Sequence, residues 1–458
     1  MRTGRFLALV LLVVAALAVG CSKGESPTRP SGVLGDWHGK IEIPGQPLDI
    51  GVTLADAGKS TIDIPTQGLR GAALKDVQVQ PDRVEFALAD IPGDPVFRGK
   101  LDGERITGTF TQSGQSFPLN MGRGKVAAPP RPQEPKAPFP YRVQDVTYRS
   151  GEITIAGTLT QPEGKGPFPA VLLITGSGAQ NRDEELLGHK LFLLFADTLT
   201  RAGYAVLRVD DRGVGGTTGK LDDATYADLT DDAAAGVGFL RARPDIDPAR
   251  VGLLGHSEGG YIAPMVAARP DSGVAFVIMM AGPAVPGYDV IIEQIKLIGT
   301  AEGQPAAEVE TSVRESNQVF ELLRKGDLAG AKELAKRINQ SRPADKRAPE
   351  GQDDELTPYF VALVTQDPAP ALSALRMPVF AFYGGKDLQV PAAQSEPAAR
   401  ALLAADPDAT VTVFPDLNHL MQPTKTGRPS EYAGIETTIA PEVLTAVTTW
   451  LTQRFPTK

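Results

Sequence analysis

Two patterns of apolar and polar residues divide the chain. Between about residues 33 and 125, segments such as LDIGVTL, STIDIP, RVEFALA, VFRGKL and RITGTF alternate apolar with polar positions, with Gly, Pro, Asp or Asn between them. A period of two turns one face of each segment to a core and the other to water, which predicts short antiparallel strands forming a small all-β barrel or sandwich. Residues 126 to 140, VAAPPRPQEPKAPFP, are proline-rich. Proline fixes φ and donates no hydrogen bond, so this stretch reads as a semi-rigid linker.

From about residue 141 to 458 the texture changes. AVLLIT (170–175), AVLRVD (205–210), VGLLG (251–255), FVIMMAG (276–282), PVFAFYG (378–384) and TVTVFP (410–415) are short, nearly continuous apolar runs. Strands buried on both faces have that composition. Helical patterns such as KLFLLFADTLTRAG and TYADLTDDAAAGVGFLRAR lie between them. The alternation predicts an α/β fold with a mostly parallel sheet and flanking helices, whose ligands belong at the carboxyl ends of the strands. Residues 286–375 interrupt the alternation with amphipathic helices and are expected to cap those ends.

Composition narrows the function classes. The 458 residues, 42% of them apolar, exclude a disordered chain. A net charge of −9 with no basic cluster beyond the N-terminal segment argues against nucleic acid as a partner. One cysteine and four histidines leave too little material for a metal site, and no cofactor is expected. Residues 1–20 carry Arg2 and Arg5, an apolar run and small residues before Cys21, the plan of a secretory signal peptide. Ala18-Val19-Gly20-Cys21 resembles the lipobox of bacterial lipoproteins. That resemblance implies a lipidated Cys21, a polar tether over 21–32, membrane attachment through the lipid, and a cell-envelope address on the outer membrane, because Ser22 is not Asp.

Gly255-His256-Ser257-Glu258-Gly259 lies between the strand-like VGLLG and the helix-like YIAPMVAAR. A G-x-S-x-G sequence in that setting presents a serine on a tight turn, whose flanking glycines let strand and helix approach. Such a serine needs a base, and in strand–elbow–helix folds acid and histidine follow it in the chain. His38 and His189 precede Ser257 and His256 adjoins it, which leaves His419 in DLNHLMQ. Asp387, in YGGKDLQVP after an apolar run, is better placed as the acid than Asp367, Asp406, Asp408 or Asp416. The oxyanion donors are expected to be the N–H of Glu258 and that of Ser177 in the TGSG loop, with Gly178 the alternative. Trp37 and Phe97 read as core residues of the β module.

TGSGAQNRDE, RVDDRGVGGTTGK, LLGHSEGG, GGKDLQVP and LNHLMQ, in that order, resemble the α/β-hydrolases of the EstD-type bacterial esterase group, related to serine aminopeptidase and prolyl-oligopeptidase hydrolases. The resemblance implies hydrolysis of a small ester through an acyl-enzyme, with Ser257, Asp387 and His419 as the triad and Asp211 and Arg212 as a structural salt bridge. A serine peptidase with the same triad is the alternative, with Glu258 or the Asp183–Glu185 run receiving a peptide amino group. A non-catalytic envelope-binding lipoprotein is the third reading. Oligomeric state is not readable.

Overall fold

The computed structural model describes residues 33–457 apart from 45–46, 56–58, 66–68, 89–92, 94, 113, 128, 343–346 and 348–355. The signal segment, Cys21 and the tether therefore lie outside the described residues.

Eight strands, β1 (Gly35–Ile41), β2 (Leu48–Leu54), β3 (Thr61–Ile64), β4 (Leu69–Gln80), β5 (Arg83–Leu88), β6 (Val96–Asp102), β7 (Arg105–Gln112) and β8 (Gln115–Arg123), pair antiparallel with their neighbours in sequence. β1 also pairs with β8, from Trp37↔Arg123 to Ile41↔Leu119, which closes the barrel. Alternation decides what fills it: Trp37, Ile41, Ile50, Val52, Val84, Phe86, Phe97, Ile106 and Leu119 form one buried cluster. An eight-stranded barrel is just wide enough for side chains to fill. Trp37 and Phe97 are both fully buried, as core residues should be.

The second body holds an eight-stranded sheet flanked by helices. Its strands and helices in chain order are β9 (Arg142–Ser150), β10 (Ile153–Gln161), β11 (Phe168–Ile174), the small hairpin β12 (Glu185–Leu186) and β13 (His189–Lys190), α1 (Leu191–Arg201), β14 (Ala205–Val209), α2 (Tyr226–Arg241), β15 (Ile246–His256), α3 (Gly259–Ala267) and β16 (Val277–Met280). Helices α4 (Gly287–Ala301), α5 (Ala306–Arg324), α6 (Leu328–Ser341), α7 (Pro358–Thr365) and α8 (Ala369–Ala374) come next, then β17 (Val379–Gly384), α9 (Ala392–Leu402), β18 (Ala409–Phe414) and α10 (Pro441–Arg454). The sheet order is β18-β17-β16-β15-β11-β14-β10-β9, parallel except at β9 and β10. After β14 the chain crosses back over β11 to form β15, so connections diverge at the carboxyl ends of β11 and β15. That crevice is where an open α/β sheet binds its ligand.

Both faces of the sheet are covered. Tyr226, Val237 and Leu240 of α2, Ile262 and Val266 of α3, and Ala399 of α9 pack on one face. Phe192, Phe195 and Leu199 of α1 with Val443, Val447 and Trp450 of α10 pack on the other. Between β16 and β17 the inserted helices bury Ile291, Ile295, Val319, Phe320, Leu323 and Phe360 in a core of their own. The proline-rich stretch is docked on this body rather than spanning free space. Arg131 donates to the carbonyls of Leu187, Gly188, Ala433 and Ile435, and Gln133 bonds Thr438 and Ile439.

Candidate active site

The strand β15 ends in a turn so tight that Ser257 is held at φ 52°. A left-handed φ is strained for a residue with a Cβ, and it persists only where the surroundings over-determine it. Here the glycines do so. A Cβ on Gly255 would lie 2.0 Å from the Gly259 carbonyl oxygen, and one on Gly259 would lie 2.2 Å from that of Ile174. Strand, elbow and α3 can touch only because those side chains are missing. The helix continues through Pro264, which is buried, and ends at Ala267.

Asp387 and His419, the expected acid and base, meet at the ends of β17 and β18. His419 Nδ1–H donates to Asp387 Oδ2 at 2.8 Å, and both residues are buried. Asp387 Oδ1 accepts the Gln389 and Val390 N–H groups at 2.7 and 2.9 Å, so three donors fix the carboxylate. Gly384 and Gly385 make the approach possible, since a Cβ on either would lie within 2.5 Å of a carbonyl oxygen in the 415–418 loop. Asn418 locks the histidine loop by accepting the Leu420 and Gln422 N–H groups. The His419 ring stands 4.9 Å, centroid to centroid, from that of His256, the residue before Ser257. Among the described residues the Ser257 hydroxyl makes no hydrogen bond to His419. Such bonds are often long before substrate arrives.

The TGSG loop lies against the elbow: a Cβ on Gly176 would be 3.3 Å from that of Ser257. Among the described residues neither the Ser177 N–H nor the Glu258 N–H has a protein acceptor, while the Gly176 N–H is taken by Glu184 and the Gly178 N–H by Tyr359. Of the two expected donors in this loop, Ser177 is thus the free one and Gly178 the engaged one. Glu258 opens α3, whose dipole adds positive potential there.

Of the residues that hold this loop, sequence reasoning singled out Asp211 but with the wrong partner, and missed the tyrosines. Thr175 Oγ1–H and the Gln180 N–H donate to Asp211, both at 2.8 Å. Arg212 pairs instead with Asp232 of α2 at 2.6 Å, and Asp210 pairs with Arg182. Asp211 therefore holds the loop by hydrogen bonds, not by a salt bridge to Arg212. Burial drives the Asp211 carboxyl well above the usual range. Glu258 is buried too, and its oxygens accept Tyr226 O–H at 2.6 Å and Tyr359 O–H at 2.7 Å. Burial raises its carboxyl to about 7 against the pull of those two bonds. Tyr359 comes from α7 in the inserted helices and also accepts the Gly178 N–H at 2.9 Å. No local motif marks these tyrosines.

The residues 171–434 match the family model described as the alpha/beta hydrolase family. The chain is 31% identical to Esterase EstD of Thermotoga maritima over 340 residues, 72% of this chain and 74% of that protein. The chain belongs to the alpha/beta hydrolase family. Shorter likenesses include the thiohydrolase apmlB of Arthrinium phaeospermum, 30% identical over 135 residues, 29% of this chain and 41% of that one. A solved Pyrococcus furiosus esterase superposes with a TM-score of 0.44 at 15% identity, over 72% of this chain and 99% of its own. In this alpha/beta hydrolase His189 is buried between Thr438 Oγ1 and the Tyr432 carbonyl. Burial and the nearby Arg131 charge lower its pKa to about 4.

Proposed function

We propose that this hydrolase is a serine carboxylic-ester hydrolase working through Ser257, His419 and Asp387, tethered in the cell envelope by a lipid on Cys21. The observation that carries the catalytic part is the strained Ser257 turn, set beside the buried His419–Asp387 pair. Kinship with a protein named an esterase supports the ester class.

In this reading His419 Nε2 takes the Ser257 proton as Oγ attacks the ester carbonyl, and Asp387 stabilises the imidazolium that forms. The tetrahedral oxyanion lies on the N–H groups of Glu258 and Ser177. His419 then protonates the leaving alkoxide, the acyl group stays on Ser257, and water repeats the sequence to release the acid. An aminopeptidase would need a carboxylate free for the substrate's amino group. Glu258 is engaged by two tyrosines, Asp183 by Arg208 and Glu184 by His256, which leaves the exposed Glu185 for that role and favours the ester reading.

Labelling by a fluorophosphonate, lost in Ser257→Ala, tests the nucleophile; no labelling of the wild type would refute it. Turnover of p-nitrophenyl esters against aminoacyl anilides separates esterase from peptidase. For the anchor, palmitate incorporation in cells should disappear in Cys21→Ser.

A further inference from the structure

Directly behind Ser257 lies a second carboxylate–imidazole pair. His256 is 1% exposed and Glu184 is 0% exposed. The Nδ1 of His256 is 2.7 Å from Glu184 Oε1, and its Nε2 is 3.2 Å from the carbonyl oxygen of His419. Glu184 Oε1 also accepts the Gly176 N–H at 2.7 Å. Two loops thus converge on one pair, the oxyanion loop through Gly176 and the histidine loop through the His419 carbonyl. Glu184 is held for this at φ 48°, with its own N–H donating to the Asn181 carbonyl at 2.8 Å.

The partners fix the proton count. A carboxylate and a backbone carbonyl can only accept, and a neutral imidazole has one N–H to offer. With Glu184 ionised, both contacts of His256 are therefore filled only when the ring is an imidazolium.

We propose that Glu184 and His256 are positioning residues: as a buried ion pair they hold the oxyanion loop and the His419 loop in register with Ser257, and turnover is lost when His256 gives up its proton. The proposal rests on the Ser257–His419 reading above. The groups facing His256 are Glu184 from the turn before β12, His419 and Asp387 from the loops after β18 and β17, and Glu258 on its own elbow. Burial acts to discharge His256, yet the Glu184 charge and bond outweigh it, helped by the His419 carbonyl and Asp387, so its pKa lies above 6.5. The sign follows. The double anchorage is complete below the ordinary histidine value and is lost as pH rises through the raised one. This gives kcat a fall on the alkaline side, where a lone Ser–His–Asp triad would stay flat.

The test is the pH profile of kcat for wild type and Glu184→Gln with a p-nitrophenyl ester, alongside fluorophosphonate labelling. Glutamine keeps an oxygen for the Gly176 N–H but removes the charge that keeps His256 protonated. The alkaline fall should move down by about one pH unit or more, with kcat on the wild type's alkaline limb reduced about tenfold and KM within about twofold. An unmoved profile in a folded Glu184→Gln protein would overturn the proposal. If that variant does not fold, 15N spectra of the four wild-type histidines across a pH series decide: one ring that keeps its imidazolium above the ordinary histidine range supports the pair, and four rings that all lose it within or below that range overturn it. Absence of fluorophosphonate labelling in wild type would instead sink the Ser257 reading, so the two failures are distinguishable.

Discussion

Tyr359→Phe removes one oxygen that serves two partners. Its hydroxyl donates to Glu258 at 2.7 Å and accepts the Gly178 N–H at 2.9 Å. Loss of a bond to a buried charged group costs about 1.5–3 kcal/mol, and a buried N–H without an acceptor costs about 1–3 kcal/mol. At pH 8.5, where Glu258 is ionised, the variant should lose about 3–4 kcal/mol of stability. The titration gives the pH dependence. Burial raises Glu258 from 4.5 to about 7. The folded state therefore holds that proton more tightly, and stability falls by about 3 kcal/mol as pH rises from 4.5 through 7. Tyr359 opposes this by bonding the ionised form, so its removal extends the fall to higher pH. At pH 5, with Glu258 protonated in both proteins, the difference should shrink to about 2 kcal/mol. Urea unfolding at the two pH values measures it. Tyr226→Phe is the control: it takes the other bond from Glu258 but leaves Gly178 anchored. Both variants should be destabilised, while kcat should fall about tenfold in Tyr359→Phe and stay within about twofold in Tyr226→Phe. Equal kcat values, or a stability loss independent of pH, would refute the reasoning.

Three other outcomes are expected. Gly259→Ala places a Cβ 2.2 Å from the Ile174 carbonyl oxygen, so the melting temperature should drop by several degrees for a cost of about 1–3 kcal/mol or more, with activity lost. Asp387→Asn puts an amide where His419 Nδ1–H needs an acceptor and should lower kcat by about 10³–10⁴-fold while fluorophosphonate labelling slows in parallel. Arg131→Ala frees four backbone carbonyls of the hydrolase body and should cost about 2 kcal/mol in chemical unfolding; a fragment starting at residue 126 should melt higher than one starting at 141.

Much of the sheet was legible because buried parallel strands need continuous apolar runs, and each of the six runs became a strand. The β9–β10 hairpin that opens this sheet was passed over, although RVQDVTYRS and ITIAGTLTQ alternate around Gly151. In the barrel, β4 lacks a steady alternation, because LRGAALKDVQVQ carries Ala72, Ala73 and Leu74 in a row and its register shifts between Lys75 and Gln78. β1 was missed because it turns only Trp37 and Ile41 into the core, with Gly39 between them where a Cβ would strike the Asn120 carbonyl oxygen at 2.2 Å. Closure, as opposed to a sandwich, depends on the β1–β8 pairing. That is a contact between the first and last strands of the barrel, which no local pattern encodes.

Within the candidate site, chain order and the scarcity of histidine point from sequence alone to Ser257, Asp387 and His419. Those are local signals: a glycine-flanked serine after an apolar run, an acid after another, the sole histidine downstream. What holds them is long-range. Tyr359 reaches Glu258 across 101 residues, His256 reaches the His419 carbonyl across 163, and Arg131 reaches Ile435 across 304. Sequence by itself determined which groups could do chemistry and the strands that carry them, because nucleophile, base and turn glycines are properties of single positions. Only the tertiary structure decided their anchorage, because a buried carboxylate or imidazole takes whichever partners the fold brings within hydrogen-bond reach.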